Sequence, residues 1–421
     1  MARDDSQPMV PGDSPPVVPM PARREPVSLD HPVYLDHNAT TPVDPRVREA
    51  MLPWLGERHG NPSSLHSFGQ AAREAVEEAR GRVAALLGAR PPEVVFTASG
   101  TEANNAVILG AGRRAGFSGR LVLSAFEHPS VRAAAALLEE AGVEVVRVPP
   151  DADGVVQAER FLAAVTDDTF LACLMLANNE VGTLQPVAEV GAACRRRGVE
   201  VLCDAVQAVG KIAVDVGELA VDYLTLGGHK FHGPPGTAAL WVRGGREVTP
   251  LLVGGSQERR RRASTENVPG VVGLGEAARL AGQELAERGR HMGALRDGFE
   301  AGVAAIPGAR LHSTAVARLP NTSHVAFPGL EAEALLIRLD LAGFAVSTGS
   351  ACASGTVEPS VTLQAMGMAA DEALASLRIS FGKTNTREEA DRFLAALGRE
   401  VEQLRRILGS GVDEARTGTD R

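Results

Sequence analysis

Val221-Asp222-Tyr223-Leu224-Thr225-Leu226 is followed at once by Gly227-Gly228-His229-Lys230. The apolar run reads as a buried strand, and it ends on a glycine pair, a histidine and a lysine. An open α/β sheet binds ligands outside the carboxyl ends of its strands, so such an ending reads as part of a site. The lysine is also scarce. Of 43 basic residues, 40 are arginine and three are lysine: Lys211, Lys230 and Lys383. Arginine cannot form a Schiff base, whereas a lysine can once desolvation or neighbouring charge lowers its pKa. Lys230 alone of the three has a strand-end setting with a histidine neighbour.

Working outward, further strands are expected at Glu93–Phe96, Leu121–Ala125, Val143–Val148, Phe170–Ala177, Val199–Cys203 and Thr237–Val242. Amphipathic helices alternate with them, among them Gln70–Leu87, Glu102–Leu109 and Val187–Arg197, which predicts an α/β fold with a mostly parallel sheet. Five consecutive strand ends carry polar groups: Ser99-Gly100-Thr101, Glu127-His128-Pro129, Asn178-Asn179-Glu180, Asp204 with Gln207, and His229-Lys230. Singly, three of them have a plain structural reading, whereas Lys230 does not. Ser99 or Thr101 is a helix cap, Asp204 is another, and His128 is a core histidine. Together they point to one shared site. Small residues entering a helix admit a phosphate, a carboxylate can face a protonated ring nitrogen, and a lysine can form a Schiff base; the combination implies pyridoxal phosphate.

Composition excludes several alternatives. The net charge is −9 and aromatic residues are 4%, against a general nucleic-acid binder. No apolar run approaches the ~18 residues of a membrane span. Four cysteines without a C-x-x-C spacing make neither a disulfide framework nor a metal site, so the expected setting is cytoplasmic. Cys173 and Cys203 lie in apolar strands and Cys194 on a helix, all as core fillers. Cys352, in Ser347-Thr348-Gly349-Ser350-Ala351-Cys352-Ala353-Ser354, sits in a loop of small residues, either as an incidental thiol or as a nucleophile. Arg378 is either a bidentate partner for a substrate carboxylate or half of a structural ion pair.

Residues 1–32 hold eight prolines and read as a disordered tail, as does 409–421. Between them we expect a large cofactor-binding α/β domain over 45–285. A smaller α+β domain, carrying the cysteine loop, is expected from 33–44 and 286–408, with a long helix over Val271–Ala305.

Taken together, the motifs resemble the cysteine desulfurases, members of the class V aminotransferase superfamily with pyridoxal-phosphate fold type I. The matching stretches include Tyr34-Leu35-Asp36-His37-Asn38-Ala39-Thr40-Thr41, Gly60-Asn61-Pro62, Asn178-Asn179-Glu180-Val181-Gly182, Asp204-Ala205-Val206-Gln207, His229-Lys230, Thr265-Glu266-Asn267, Gly349-Ser350-Ala351-Cys352 and Arg378-Ile379-Ser380-Phe381-Gly382. The resemblance implies that Lys230 holds the cofactor covalently and later moves the Cα proton, and that His128 stacks on its ring and serves as a catalytic acid–base group. It further implies that Asp204 pairs with the ring nitrogen and Gln207 with the ring hydroxyl. Gly100, Thr101 and His229 would hold the phosphate, with Thr265 reaching in from the second subunit of a homodimer. Asn178 and Arg378 would fix the carboxylate of L-cysteine, and Cys352 would take its sulfur as a persulfide. The spacing from Cys352 to Glu358-Pro359-Ser360 resembles the subgroup with a longer catalytic loop, which implies delivery to a sulfur-acceptor protein, for iron–sulfur cluster assembly on a scaffold or for thio-modification. Alternative readings are a selenocysteine lyase, another C–S lyase, or a non-catalytic scaffold. Two positions depart from the family. Gly227 stands where a phosphate-binding serine is usual, with Thr225 or a water as the substitute, and Ser264 stands where glycine is usual.

Overall fold

The structure is a computed structural model describing residues 32–348 and 358–417. Most of the proline-rich start and the segment carrying Cys352 lie outside the described residues. Strand β1 (Val33–Tyr34) pairs far along the chain with Phe344–Ala345. The next seven strands are β2 (Val94–Thr97), β3 (Arg120–Ser124), β4 (Glu144–Val148), β5 (Thr169–Cys173), β6 (Glu200–Asp204), β7 (Tyr223–Gly227) and β8 (Ala238–Val242). They form one sheet in the order β2-β8-β7-β6-β5-β3-β4. Only β8 runs against its neighbours, β2 and β7. This is the mostly parallel α/β sheet that the alternating pattern predicts.

The apolar runs divide between the two faces by their two-residue period. Val95, Leu121, Leu123, Leu171, Cys173, Leu202 and Tyr223 pack on the face covered by helices Gly100–Arg114 and Pro129–Glu140. Phe96, Val122, Ala172, Val201, Cys203 and Leu224 pack on the other, beneath helices Ser67–Leu86, Val187–Arg197 and Val268–Val303. Burying both faces is what makes these strands continuously hydrophobic. Each fully buried Val, Leu or Phe contributes about 1.5–3 kcal/mol of transfer free energy.

Two of the covering helices touch closely at Gly275, where a Cβ would stand 2.6 Å from the Ala79 backbone. A side chain there would push the helices apart. The helix Val268–Val303 has 36 residues and joins two cores. Val271, Leu274 and Leu280 pack with the large sheet, while Leu295, Phe299 and Val303 pack with a second cluster. That second cluster is built on β9 (Arg310–Leu311), β10 (Thr322–Ala326), β11 (Phe344–Ala345) and β12 (Ser376–Ser380).

Two expectations change. The strand expected to reach Ala177 ends at Cys173, although the Leu174 and Leu176 N–H groups still donate to the carbonyls of Leu202 and Asp204. The end of the chain, expected to fray from Gly409, is helical through Thr417. Isolated glycines such as Gly409 and Gly411 cost a helix only about 1 kcal/mol each, too little to stop it.

Ser264 has φ of 102°, in the left-handed region that favours glycine. This backbone requirement accounts for the glycine that the resemblance leads one to expect there, and a serine bears ~1 kcal/mol of strain in its place.

Candidate active site

The strand ends converge on a cavity of about 440 Å³ lined by Gly100, Thr101, His128, Asp204, Gln207, His229, Lys230 and Arg378, among others. Residues from β6, β12, the turn after β7 and the starts of two helices therefore meet in one place. A larger cavity of about 560 Å³ lies at Trp54, Phe68 and Val272, away from these groups, and holds no comparable chemistry.

At one end stands the helix Gly100–Arg114. The Ser99 side chain accepts from the Glu102 N–H at 3.0 Å, so the capping reading is correct for Ser99. The cap leaves Gly100 and Thr101, whose N–H groups precede the first intrahelical bond, on the cavity wall. A Cβ on Gly100 would lie 2.8 Å from Val206 Cγ2. Glycine keeps that wall open, and the helix N-terminus favours an anion there.

Asp204 ends β6. Its Oδ1 accepts from the Val206 N–H at 3.0 Å and its Oδ2 from Asn104 Nδ2 at 2.8 Å. Asn104 also donates to Ser130 Oγ, which lies 2.8 Å from His128 Nδ1. Its Oδ1 accepts from Thr225 Oγ1 at 2.9 Å. A continuous chain of hydrogen bonds thus connects the Asp204 carboxylate to the His128 ring. The ring is fixed further by the Ser130 N–H, which donates to Nδ1. Burial, aided by Lys230 and Arg132, lowers the His128 pKa against the opposing pull of Asp204, so the ring is neutral at pH 7. Glu127 lies beneath, and burial pushes its carboxyl up to about 8. It is then uncharged at pH 7, and the carboxylate on the cavity wall is that of Asp204.

Lys230 projects from the short turn after β7. Its Nζ donates to the carbonyls of Asn38 and Ala39, each at 2.7 Å. Burial first, and then the nearby Arg378 charge, lower its pKa to about 8 despite Asp36 and Asp204. His229 is lowered to about 4 by burial and by the two lysines Lys230 and Lys211. Arg378, buried in β12, donates to the Asn179 carbonyl at 3.1 Å and to Asp36 Oδ1 at 2.6 Å. Arg378 forms the structural ion pair of the second reading, and it also lines the cavity.

Not every expected residue reaches the cavity. Asn178 is fully buried, and its Oδ1 accepts from the N–H groups of Glu180 and Val181, closing a tight turn. The neighbouring Asn179 lines the cavity instead. Thr265 is exposed and outside the cavity of its own chain. Thr225 is no substitute for a hydroxyl at position 227, because its hydroxyl donates to Asn104 inside β7. Cys352 lies outside the described residues, although Ser347, shortly before it, lines the cavity. Asn38, Asn104, Ser130 and Lys211 are parts of the site to which the sequence reading gave no role. Among the described residues no group of three or more His, Cys, Asp or Glu is arranged to hold a metal ion, and no helix is long and apolar enough to cross a membrane.

A doubly wound sheet with an amine, a carboxylate, an imidazole and a helix N-terminus at its strand ends defines a lysine-centred α/β enzyme of pyridoxal-phosphate fold type I. The chain belongs to the aminotransferase class-V family, which it matches over residues 33–393. It is 43% identical over 386 residues to "Cysteine desulfurase IscS" of Methanosarcina thermophila, covering 91% of this chain and 96% of that one. Among solved structures it is similar to a "NifS-like protein", with a TM-score of 0.84 and 38% identity over 89% of this chain and all 100% of the other. It is also similar to "SspA in complex with cysteine", with a TM-score of 0.75 and 33% identity over 84% of this chain and 100% of that one.

Proposed function

We propose that this protein is a pyridoxal-phosphate-dependent cysteine desulfurase that converts L-cysteine to L-alanine and passes the sulfur through a persulfide on Cys352. The observation that carries the reading is the Lys230 amine, set in one cavity wall with Asp204, His128 and the Gly100–Thr101 helix start. The residues present fit the cofactor. Gly100 leaves room for a phosphate at a helix N-terminus, Asp204 supplies a carboxylate for a ring nitrogen, and Lys230 supplies the amine for a covalent bond. When bound, pyridoxal phosphate supplies an electron sink for the Cα carbanion.

The chain's own groups do the rest. Gly100, Thr101 and His229 hold the phosphate, and Thr265 of a second copy completes the holding. His128, neutral and fixed by Ser130, offers a flat face for the ring. Arg378 and Asn179 hold the substrate carboxylate, and this places Cα near Lys230. Lys230, neutral above about pH 8, takes the Cα proton. The Cys352 thiolate attacks the substrate Sγ, forming the S–S bond as the Cβ–Sγ bond breaks. The electron pair goes to carbon, which gains a proton and leaves as alanine.

A homodimer would give cover to exposed apolar side chains such as Leu52, Leu55, Leu65 and Phe68, of which Leu65 is 84% exposed. We take the setting to be cytoplasmic and the sulfur acceptor to be a protein. The test is incubation with L-cysteine and an added thiol reductant, which reduces the persulfide, and it should give alanine and sulfide in equal amounts. Faster release from selenocysteine or from another C–S substrate would favour a lyase instead.

Gly227 gives a second expectation. Its φ is −126°, and a Cβ there would meet only ordinary contacts, at 3.5 Å from His229 Cδ2 and Val206 Cγ1. The position has room for the serine that the resemblance leads one to expect. Gly227→Ser is expected to tighten pyridoxal phosphate binding by about 2–10-fold, the worth of one added hydrogen bond. Titration of the cofactor-free protein measures it, and unchanged affinity would mean that the phosphate is already fully satisfied.

A further inference from the structure

Lys211 has no part in the mechanism above, yet it is more deeply buried than Lys230. The residue is 5% exposed. It follows the turn Ala205–Gly210, where its own N–H donates to the Ala208 carbonyl. Its Nζ donates to Asn38 Oδ1 at 2.7 Å and to Gln207 Oε1 at 2.8 Å. Among the described residues it forms no ion pair, whereas Lys383 pairs with Asp44 and Glu284. The charged groups acting on it are Lys230 and Arg378, both cations. A lysine in such surroundings is costly to bury, and a chain this poor in lysine keeps it there. Lys211 does not line the cavity of about 440 Å³. With Lys230 it lines a gap of about 20 Å³, the size of a single water.

What Lys211 does is visible in its two partners. Burial and the two cations push the Lys211 pKa well below the ordinary lysine value. Both partners turn an amide oxygen to this head, which donates to each of them. In Gln207 this puts Oε1 on Lys211 and Nε2 on the far side, where it donates to the Asn38 carbonyl at 2.8 Å. One Nε2 hydrogen remains, and Gln207 lines the cavity. In Asn38 the same arrangement puts Oδ1 on Lys211, with Asn321 as second donor, and leaves Nδ2 for Thr322 and the Asn179 carbonyl. The Asn38 carbonyl in turn accepts from both Lys230 and Gln207. Lys211 thus sets the polarity of two amides that together hold the lysine and the glutamine of the cavity wall.

We propose that Lys211 is a positioning residue that holds the Gln207 amide with its N–H toward the cavity, so that this N–H donates to the anionic ring oxygen of the bound cofactor. The inference rests on the reading of the cavity as a pyridoxal phosphate site. In Lys211→Met, Gln207 Oε1 loses its donor and the amide loosens. Less donation leaves more negative charge on the ring oxygen beside the nitrogen that Lys230 contributes. That nitrogen then keeps its proton to higher pH.

The experiment titrates cofactor-free protein with pyridoxal phosphate, and then follows the visible band of the loaded protein against pH. The variants are Lys211→Met, Gln207→Leu and the pair together. Each single variant is expected to weaken cofactor binding about tenfold, the scale of one buried group left unpaired. Each should also raise the pH midpoint of the band by about one unit. The double variant should be no weaker than Gln207→Leu, because Lys211 acts through Gln207. Lys211→Arg keeps a donor-only head and should return both readings to within about threefold of the parent. An unchanged midpoint in Lys211→Met, or additive losses in the pair, would overturn the inference while the site reading stands. If Lys211→Met does not fold, failure of Lys211→Arg to recover the midpoint overturns it equally. A parent protein that forms no visible band overturns the site reading, and the inference with it.

Discussion

Lys230→Arg should leave a folded protein that forms no visible band with pyridoxal phosphate and makes no alanine from L-cysteine. The loss should be at least about a thousandfold, since both the covalent attachment and the proton carrier disappear. The fold should survive because the two acceptors of Lys230, the carbonyls of Asn38 and Ala39, accept equally well from a guanidinium. The chemistry fails because a guanidinium stays protonated and its nitrogens share one delocalised charge. Lys230 differs in kind. Burial and the Arg378 charge lower its pKa from 10.5 to about 8. A lowered lysine pKa means that the neutral amine prevails above pH 8 rather than above 10.5, so the amine is a usable nucleophile and base near physiological pH. The rate of cofactor loading onto cofactor-free protein should accordingly rise with pH up to about 8 and then level. A melting transition near that of the parent, together with loss of the band, checks the expectation. Alanine production that persists in Lys230→Arg would mean that another amine carries the reaction.

The sheet was legible in the sequence because both its faces are covered, which writes each strand as an apolar run. The site was legible where a functional group stands at or just after a strand end, as Asp204 ends β6 and Lys230 comes shortly after β7. Groups that enter from elsewhere were not. Asn104 lies one turn into a helix and Ser130 at the start of another, and only the packing of those helices brings them between Asp204 and His128. Asn38 contacts Lys230 across 192 positions of sequence. Adjacent residues of one type were also beyond the sequence. Asn178 and Asn179 are chemically alike, and the tight turn at Gly182, with φ of 79°, decides which one faces the cavity. Lys211 did leave a signal. It is one of three lysines and is embedded in Ala208-Val209-Gly210-Lys211-Ile212-Ala213-Val214, a run with no other charge. A base in such a run is buried, and a buried base has partners; the strand-end rule passed over it because Lys211 stands on a turn.

The cysteines support the second large expectation. Three of the four have described positions, and all three are buried. Burial pushes the thiols of Cys173 and Cys203 well above the ordinary thiol range, with Glu127 and Asp204 adding to the effect, and it pushes Cys194 up to about 11. A thiol held protonated is a poor nucleophile, and a thiol at the centre of the sheet cannot meet a substrate. Burial leaves these three thiols poorly suited to sulfur transfer, the role that the proposed mechanism gives to Cys352. Cys352→Ala should abolish both alanine and sulfide production while cofactor affinity and the visible band stay at parental values, because the groups that bind the cofactor are separate side chains. The two readouts distinguish sulfur transfer from cofactor binding. A combined loss of band and turnover would indicate a structural defect. Loss of turnover alone would place Cys352 at the step where the Cβ–Sγ bond breaks. Mass analysis of the parent after brief exposure to L-cysteine should add one sulfur atom to the peptide containing Cys352, and a reductant should remove it. Alanine production that continues at the parental rate in Cys352→Ala would show that the Cβ–Sγ bond can break without a thiolate to receive the sulfur. In that case the chain would be a lyase on this fold rather than a desulfurase.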